Sequence, residues 1–99
     1  MIRHIVLWRL KDLPDRSRQQ TAAAMKEKFE SLLGVIPGLR RLEIGIDFSR
    51  SDASSDVALY SEFDSQAALA AYQEHPAHTA VLPFIREAAT ERRLVDYEE

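Results

Sequence analysis

Two of the three histidines of this chain and one of its three tyrosines fall in a single short segment, Tyr72-Gln73-Glu74-His75-Pro76-Ala77-His78. Imidazole changes charge near neutral pH and a phenol donates a hydrogen bond, so these residue types suit proton transfer at a small polar site. Imidazoles also bind metals. Here Pro76 separates His75 from His78, the chain has no cysteine and no carboxylate stands out as a third ligand, so no metal site is assigned. Structural roles compete with chemistry at every one of these positions. His75, just before a proline, reads as a junction residue whose ring caps backbone groups or meets solvent. Tyr72 and His78 fit a buried hydrogen bond tying a helix to a sheet as well as they fit a reactive pair. His4, on a strand face with Val6 and Trp8, is either a satisfied core histidine or a third polar group in the same place.

The elements that must position these residues follow from periodicity. Ile2 to Leu10 is rich in β-branched and large apolar residues, and Lys11-Asp12-Leu13-Pro14-Asp15 ends it, giving a first strand. Ser17 and Gln20 have capping-box spacing. Behind them Ala22, Met25, Phe29, Leu32, Leu33 and Ile36 recur at threes and fours, which predicts an amphipathic helix ending near Gly34. Pro37-Gly38 turns the chain into a second strand, Leu39 to Phe48, in which Leu42, Ile44, Ile46 and Phe48 share one face. Residues 49–56 offer nothing to bury and read as a mobile hairpin loop. Val57 to Phe63 is a third strand. Asp64-Ser65 caps a helix through Tyr72, Pro76 stops it, and a short second helix then carries His78 in its opening turn. Pro83 kinks or restarts this helical stretch, which reaches about Ala89. A fourth strand runs from Arg92 to Tyr97.

Ninety-nine residues suit one domain, residues 1–99, with a modest core that needs cover on both sides of the sheet. Thirteen basic and sixteen acidic residues give a net charge of -3 without any long block of one sign, which argues against a nucleic-acid partner. The apolar run after Met1 is short and broken by Arg3, His4 and Arg9, so neither a signal peptide nor a membrane span is expected. With no cysteine, the expectation is a soluble cytoplasmic protein without disulfides; no cofactor is expected either. Arg40-Arg41 and Arg92-Arg93 read as solvated strand ends, and Lys26 with Glu30 as an exposed helical pair.

The order strand, helix, strand, strand, helix, strand is a split βαβ, an α+β ferredoxin-like arrangement with a four-stranded antiparallel sheet. Helices cover only one side of such a sheet. On the other side Ile5, Leu7, Ala58, Tyr60, Val95 and Tyr97 would form a patch too apolar for a soluble monomer. The chain has no strands to spare for it, so a second copy is expected to close over it as a two-fold dimer whose sheets form a shared barrel.

The segments Ile2-Arg3-His4-Ile5-Val6-Leu7-Trp8-Arg9-Leu10, Ile36-Pro37-Gly38-Leu39, Tyr72-x-x-His75-Pro76-x-His78 and Val95-Asp96-Tyr97 resemble, in that order and spacing, the stress-responsive α/β-barrel or Dabb family. The resemblance spans nearly the whole chain. It implies a ferredoxin-like subunit and a homodimeric barrel, with stress response or auxiliary metabolism as context. A minority of members resemble plant polyketide cyclases, which close a poly-β-keto chain by an intramolecular aldol step. Such a step needs a base for an activated C–H and a donor for the carbonyl oxygen. On this resemblance His78 is the base, Tyr72 orients it or donates to the carbonyl, and His4 is a third polar group. The pocket walls would be Val6, Trp8, Met25, Phe29, Leu42, Ile44, Val57 and Leu59. The cyclase-like members carry a further histidine where this chain has Val57, and Trp8 is large enough to fill the cavity it lines. Three classes therefore stand: a dimeric barrel binding a small, mainly apolar molecule, a lyase acting on a keto compound, and a structural dimer without ligand.

Overall fold

Alternation along the first strand decides how the sheet is used. The computed structural model describes residues 1–99, and in its β1 (Ile2–Leu10) the even residues Ile2, His4, Val6, Trp8 and Leu10 are all buried while the odd ones are not. The remaining elements are α1 (Arg18–Glu30), β2 (Leu39–Ile46), β3 (Val57–Phe63), α2 (Gln66–Glu74), α3 (Pro76–Thr79), α4 (Leu82–Ala88) and β4 (Ala89–Glu98). All strand pairs are antiparallel in the order β2-β3-β1-β4, the ferredoxin-like sheet expected from the element order. No helix is long and apolar enough to cross a membrane.

α1 starts at a complete capping box: Gln20 N donates to Ser17 Oγ at 3.1 Å and Ser17 N donates to Gln20 Oε1 at 2.8 Å. Thr21, Ala22, Met25 and Phe29 are its buried face. The helix stops at Glu30, earlier than Gly34. Its last turn tightens into hydrogen bonds from Leu32 to Phe29 and Leu33 to Glu30, and Gly34 then takes φ +88°. Leu32 and Ile36 still reach the core from the connecting turns, which is why the helical spacing of apolar residues outlasts the helix; Leu33 is 46% exposed.

α1 lies over β2, and Lys26 and Glu30 do more than pair across a helical turn. Lys26 Nζ donates to Ile44 O at 3.0 Å, and Ile44 N donates to Glu30 Oε2 at 3.1 Å. β2 is an edge strand, so the pair satisfies backbone groups that a foreign strand would otherwise find. β2 also ends at Ile46, short of Phe48. Asp47 bends the chain by accepting from Arg50 N at 2.8 Å and Ser49 Oγ at 2.9 Å, leaving Phe48 95% exposed. The loop is tied back to the sheet at its end, where Asp56 N donates to Trp8 O and its carboxylate accepts from Leu10 N.

Ser65 caps α2 by accepting from Ala68 N at 3.1 Å. His75 is extended ahead of Pro76, and its Nδ1 accepts from Ala77 N at 3.0 Å, so the ring caps α3. Pro83 sits in the first turn of α4 and starts it. β4 begins at Ala89, three residues before Arg92, because the backbone leaves α4 directly in an extended conformation and pairs with Leu10.

On the sheet face away from the helices, Ile5 is flanked by Tyr60 and Val95, and Leu7 by Ala58 and Arg93. Leu7, Val95 and Tyr97 are 40%, 51% and 39% exposed in the single chain. Ion pairs rim this strip, among them Arg9 with Glu91 at 3.3 Å and Arg41 with Glu62 at 3.9 Å.

Gly38 holds φ +81°, and a Cβ placed there would meet Ala68 Cβ at 2.7 Å; Gly34 has a similar φ but open space around it. Gly34→Ala should therefore cost about 1–2 kcal/mol from the backbone alone, while Gly38→Ala should cost clearly more. Urea unfolding midpoints of the two variants check this, and equal losses would contradict the contact.

Candidate functional site

The helices do not cover the sheet evenly. α1 fills the space over β2, α2 reaches β1, β2 and β3 alike, and β4 has the least helical cover. A cavity of about 530 Å³ opens at that end. β1 contributes His4, Val6 and Trp8, β3 contributes Leu59, and α1 contributes Phe29. Tyr72 and Gln73 come from α2, His78 from α3, Leu82, Ile85 and Arg86 from α4, and Ala89, Thr90, Glu91 and Arg92 from β4.

Tyr72, His78 and His4 are thus brought to one place, with Val6, Trp8, Phe29 and Leu59 as walls. Met25, Leu42, Ile44 and Val57 are not walls; they are buried in the solid core outside the cavity. The reason is the offset of α1 toward β2, which packs that half of the sheet tightly and moves the free volume toward β4. Trp8 does not plug the space. Its ring leans on Phe29 at 5.7 Å between centroids, and the cavity remains beside them.

The polar groups are held in sequence. His4 Nδ1 hydrogen-bonds the carboxylate of Asp96, its partner across the β1–β4 ladder. The His4 ring meets Tyr72 edge-on at 6.3 Å, and the Tyr72 ring lies 4.3 Å from that of His78. Tyr72 is 1% exposed, and its hydroxyl is sealed from solvent without any hydrogen-bond partner. Burial pushes its acidity far above the ordinary phenol range, against a smaller opposing pull from Arg92, so it is a neutral donor at physiological pH.

His78 Nδ1 lies 3.3 Å from Gln73 O. A carbonyl only accepts, so Nδ1 carries the hydrogen and the lone pair of the neutral ring is on Nε2. Burial holds the His78 pKa below 6.5; the Gln73 carbonyl pulls the other way, and the charges of His4 and Arg92 add to the depression. The arrangement offers a neutral imidazole base next to a neutral phenol donor in a largely apolar space.

Sequence periodicity missed the α4 and β4 side of the site: Leu82, Ile85, Arg86, Thr90, Glu91 and Arg92, together with Asp96 behind His4. Arg92 is exposed, as read, but lies within β4 rather than at its end, and its pairing with Trp8 puts it on the cavity side. The alternation Arg92, Leu94, Asp96 was the available signal, and it lacked a register against β1. His75 points its Nδ1 at Ala77 N, and nowhere do three histidine, aspartate or glutamate side chains converge as a metal-ligand set.

The family profile of the stress responsive A/B barrel domain, Dabb, matches residues 2–99. An uncharacterized protein of Streptomyces coelicolor is 40% identical over 98 residues, covering 99% of each chain. Among solved structures, a dimeric protein of ferredoxin-like fold from Bacteroides fragilis is similar with a TM-score of 0.89 and 33% identity, over 99% of this chain and 95% of that one. A dimeric ferredoxin-like protein from Thermobifida fusca follows with 0.82 and 29%, over 99% and 90%.

The depressed His78 pKa carries a sign. Between the folded value and 6.5 the unfolded chain binds more protons at this site, so its contribution to stability is intact above pH 6.5 and is lost as pH falls through that window toward the folded value. An NMR titration of the His78 ring should show a midpoint below 6.5, and His78→Gln should flatten the loss of stability over the same window. A midpoint above 6.5 would contradict the half-buried placement.

Proposed function

The chain belongs to the stress responsive A/B barrel domain family, and from that premise we propose that it works as a homodimeric barrel holding one small, mainly apolar, carbonyl-bearing molecule in each subunit's cavity. One observation carries the ligand: the buried Tyr72 hydroxyl has no partner. An unmade hydrogen bond of this kind costs about 1–3 kcal/mol, and a carbonyl oxygen in the cavity would recover it once the side chains around Tyr72 part enough to admit it. The volume, about 530 Å³, lies in the range of small-molecule sites, and the surrounding walls are mostly hydrophobic.

The dimer is supported by the strip of Ile5, Leu7, Tyr60, Val95 and Tyr97, and by the dimeric state of the Bacteroides fragilis and Thermobifida fusca proteins. Burying each large side chain contributes roughly 1.5–3 kcal/mol, enough in sum to exceed the cost of association. The ion pairs around the strip would then lie at its rim.

A second reading, a lyase acting on a keto compound, is favoured by the Tyr72–His78 pair. His78 Nε2 would take a proton from the carbon beside a carbonyl. Tyr72 would hold the enolate oxygen, the enolate carbon would add to a second carbonyl, and the imidazolium would return its proton to the new alkoxide. Val57, where the cyclase-like members have a histidine, is buried outside the cavity, so β3 supplies no further base.

Light scattering at micromolar concentration should give a dimer for the native chain and a monomer for Leu7→Glu. A monomeric native chain would remove the shared barrel. Trp8 is the only tryptophan and lines the cavity, so its emission reports binding. 2-Nonanone should quench it saturably, and Tyr72→Phe should weaken binding about 10-fold, the worth of one hydrogen bond. No quenching would overturn the ligand reading. Deuterium uptake beside the carbonyl that is lost in His78→Ala would favour the lyase; uptake at the buffer rate would set it aside.

A further inference from the structure

The charges at the cavity mouth are not balanced as they are elsewhere on the molecule. Three charged residues line the cavity, and one of them, Glu91, is already held by Arg9 at 3.3 Å and Arg93 at 3.1 Å. Arg86 and Arg92 have neither a carboxylate within 4 Å nor a side-chain hydrogen bond, although the chain carries more acids than bases. Arginines 3, 9, 18, 40, 41 and 93 all meet acids, and Arg16 is occupied by Thr21 and Phe84. Apart from Arg50 in the exposed β2–β3 loop, the two unpaired guanidinium groups both belong to this one cavity.

We infer that the molecule taken here is an amphipathic carboxylate, its charged head met by Arg86 and Arg92 and its apolar body lying against Trp8, Phe29, Leu82 and Ile85. This rests on the ligand-binding reading above and names its chemical class. Tyr72, which lines the same cavity, leaves a buried hydroxyl without a hydrogen-bond partner. The guanidinium fork matches a carboxylate in two parallel hydrogen bonds. A singly charged head suits the site better than a dianion, because Asp96 stands behind His4 and the walls are mostly apolar.

The test compares octanoate, octanol and octyltrimethylammonium on the intact protein at pH 8 and equal ionic strength, read by Trp8 emission. Octanoate should bind at least about 10-fold tighter than octanol, the worth of a charge-assisted hydrogen bond, and the cation should bind weakest. In the double variant Arg86→Gln with Arg92→Gln, octanoate should fall to the level of octanol while octanol itself is unchanged. Arg92→Lys in the Arg86→Gln background should restore part of the preference. Octanol binding as tightly as octanoate to the native protein overturns the inference and leaves the ligand reading standing. Absence of binding by all three overturns both. The native comparison needs no variant to fold, so it decides the matter by itself.

Discussion

The ladder between β1 and β4 is the interaction on which the rest of this structure depends. It runs from Ile2 opposite Glu98 to Leu10 opposite Ala89. Because facing residues in an antiparallel pair share a side of the sheet, one register sets two surfaces together. On the helix side it places Asp96 behind His4 and Arg92 beside Trp8; on the other side it places Val95 beside Ile5 and Tyr97 beside Arg3. A slip of one residue would turn the cavity's polar groups outward and break the apolar strip in the same stroke.

Uneven helical cover turns that ladder into a site. α1 is clipped to the edge of β2 through Lys26, Glu30 and Ile44, so the best-packed part of the core lies over β2 and β3. The short α2–α3–α4 segment, broken at His75-Pro76 and restarted at Pro83, bends around the other end without filling it. A continuous helix would have presented one straight ridge. The proline break lets His78 turn back toward Tyr72 while His75 spends its Nδ1 on capping. Rings then run from Phe63 through Tyr72 and His78 to Phe29 and Trp8, with successive centroids between 4.3 and 6.4 Å apart. Such a wall is stiff, so the Tyr72 hydroxyl cannot easily swing to another partner.

Unsatisfied groups mark where the fold is not optimised for itself. A buried phenol without an acceptor and two arginines without acids are tolerated in a domain whose other arginines are largely paired.

Much of the architecture was legible in the chain. The β-branched and large apolar run Ile2–Leu10, the Ser17–Gln20 capping box, the Pro37-Gly38 turn and the prolines at 76 and 83 each rest on local backbone physics, so element order and the ferredoxin-like sheet followed from them, while the gathering of Tyr72, His78 and His4 was implied by the family resemblance. Local pattern overreached where apolar spacing outlasted the element: Leu33 is in a turn beyond α1, and Phe48 is past the bend that Asp47 makes. The position of the cavity was decided by tertiary structure alone. Periodicity tells which side of an element is apolar, but not how far a helix is offset across a sheet, and that offset put Met25, Leu42, Ile44 and Val57 into solid core and brought Arg86 and Arg92 to the opening.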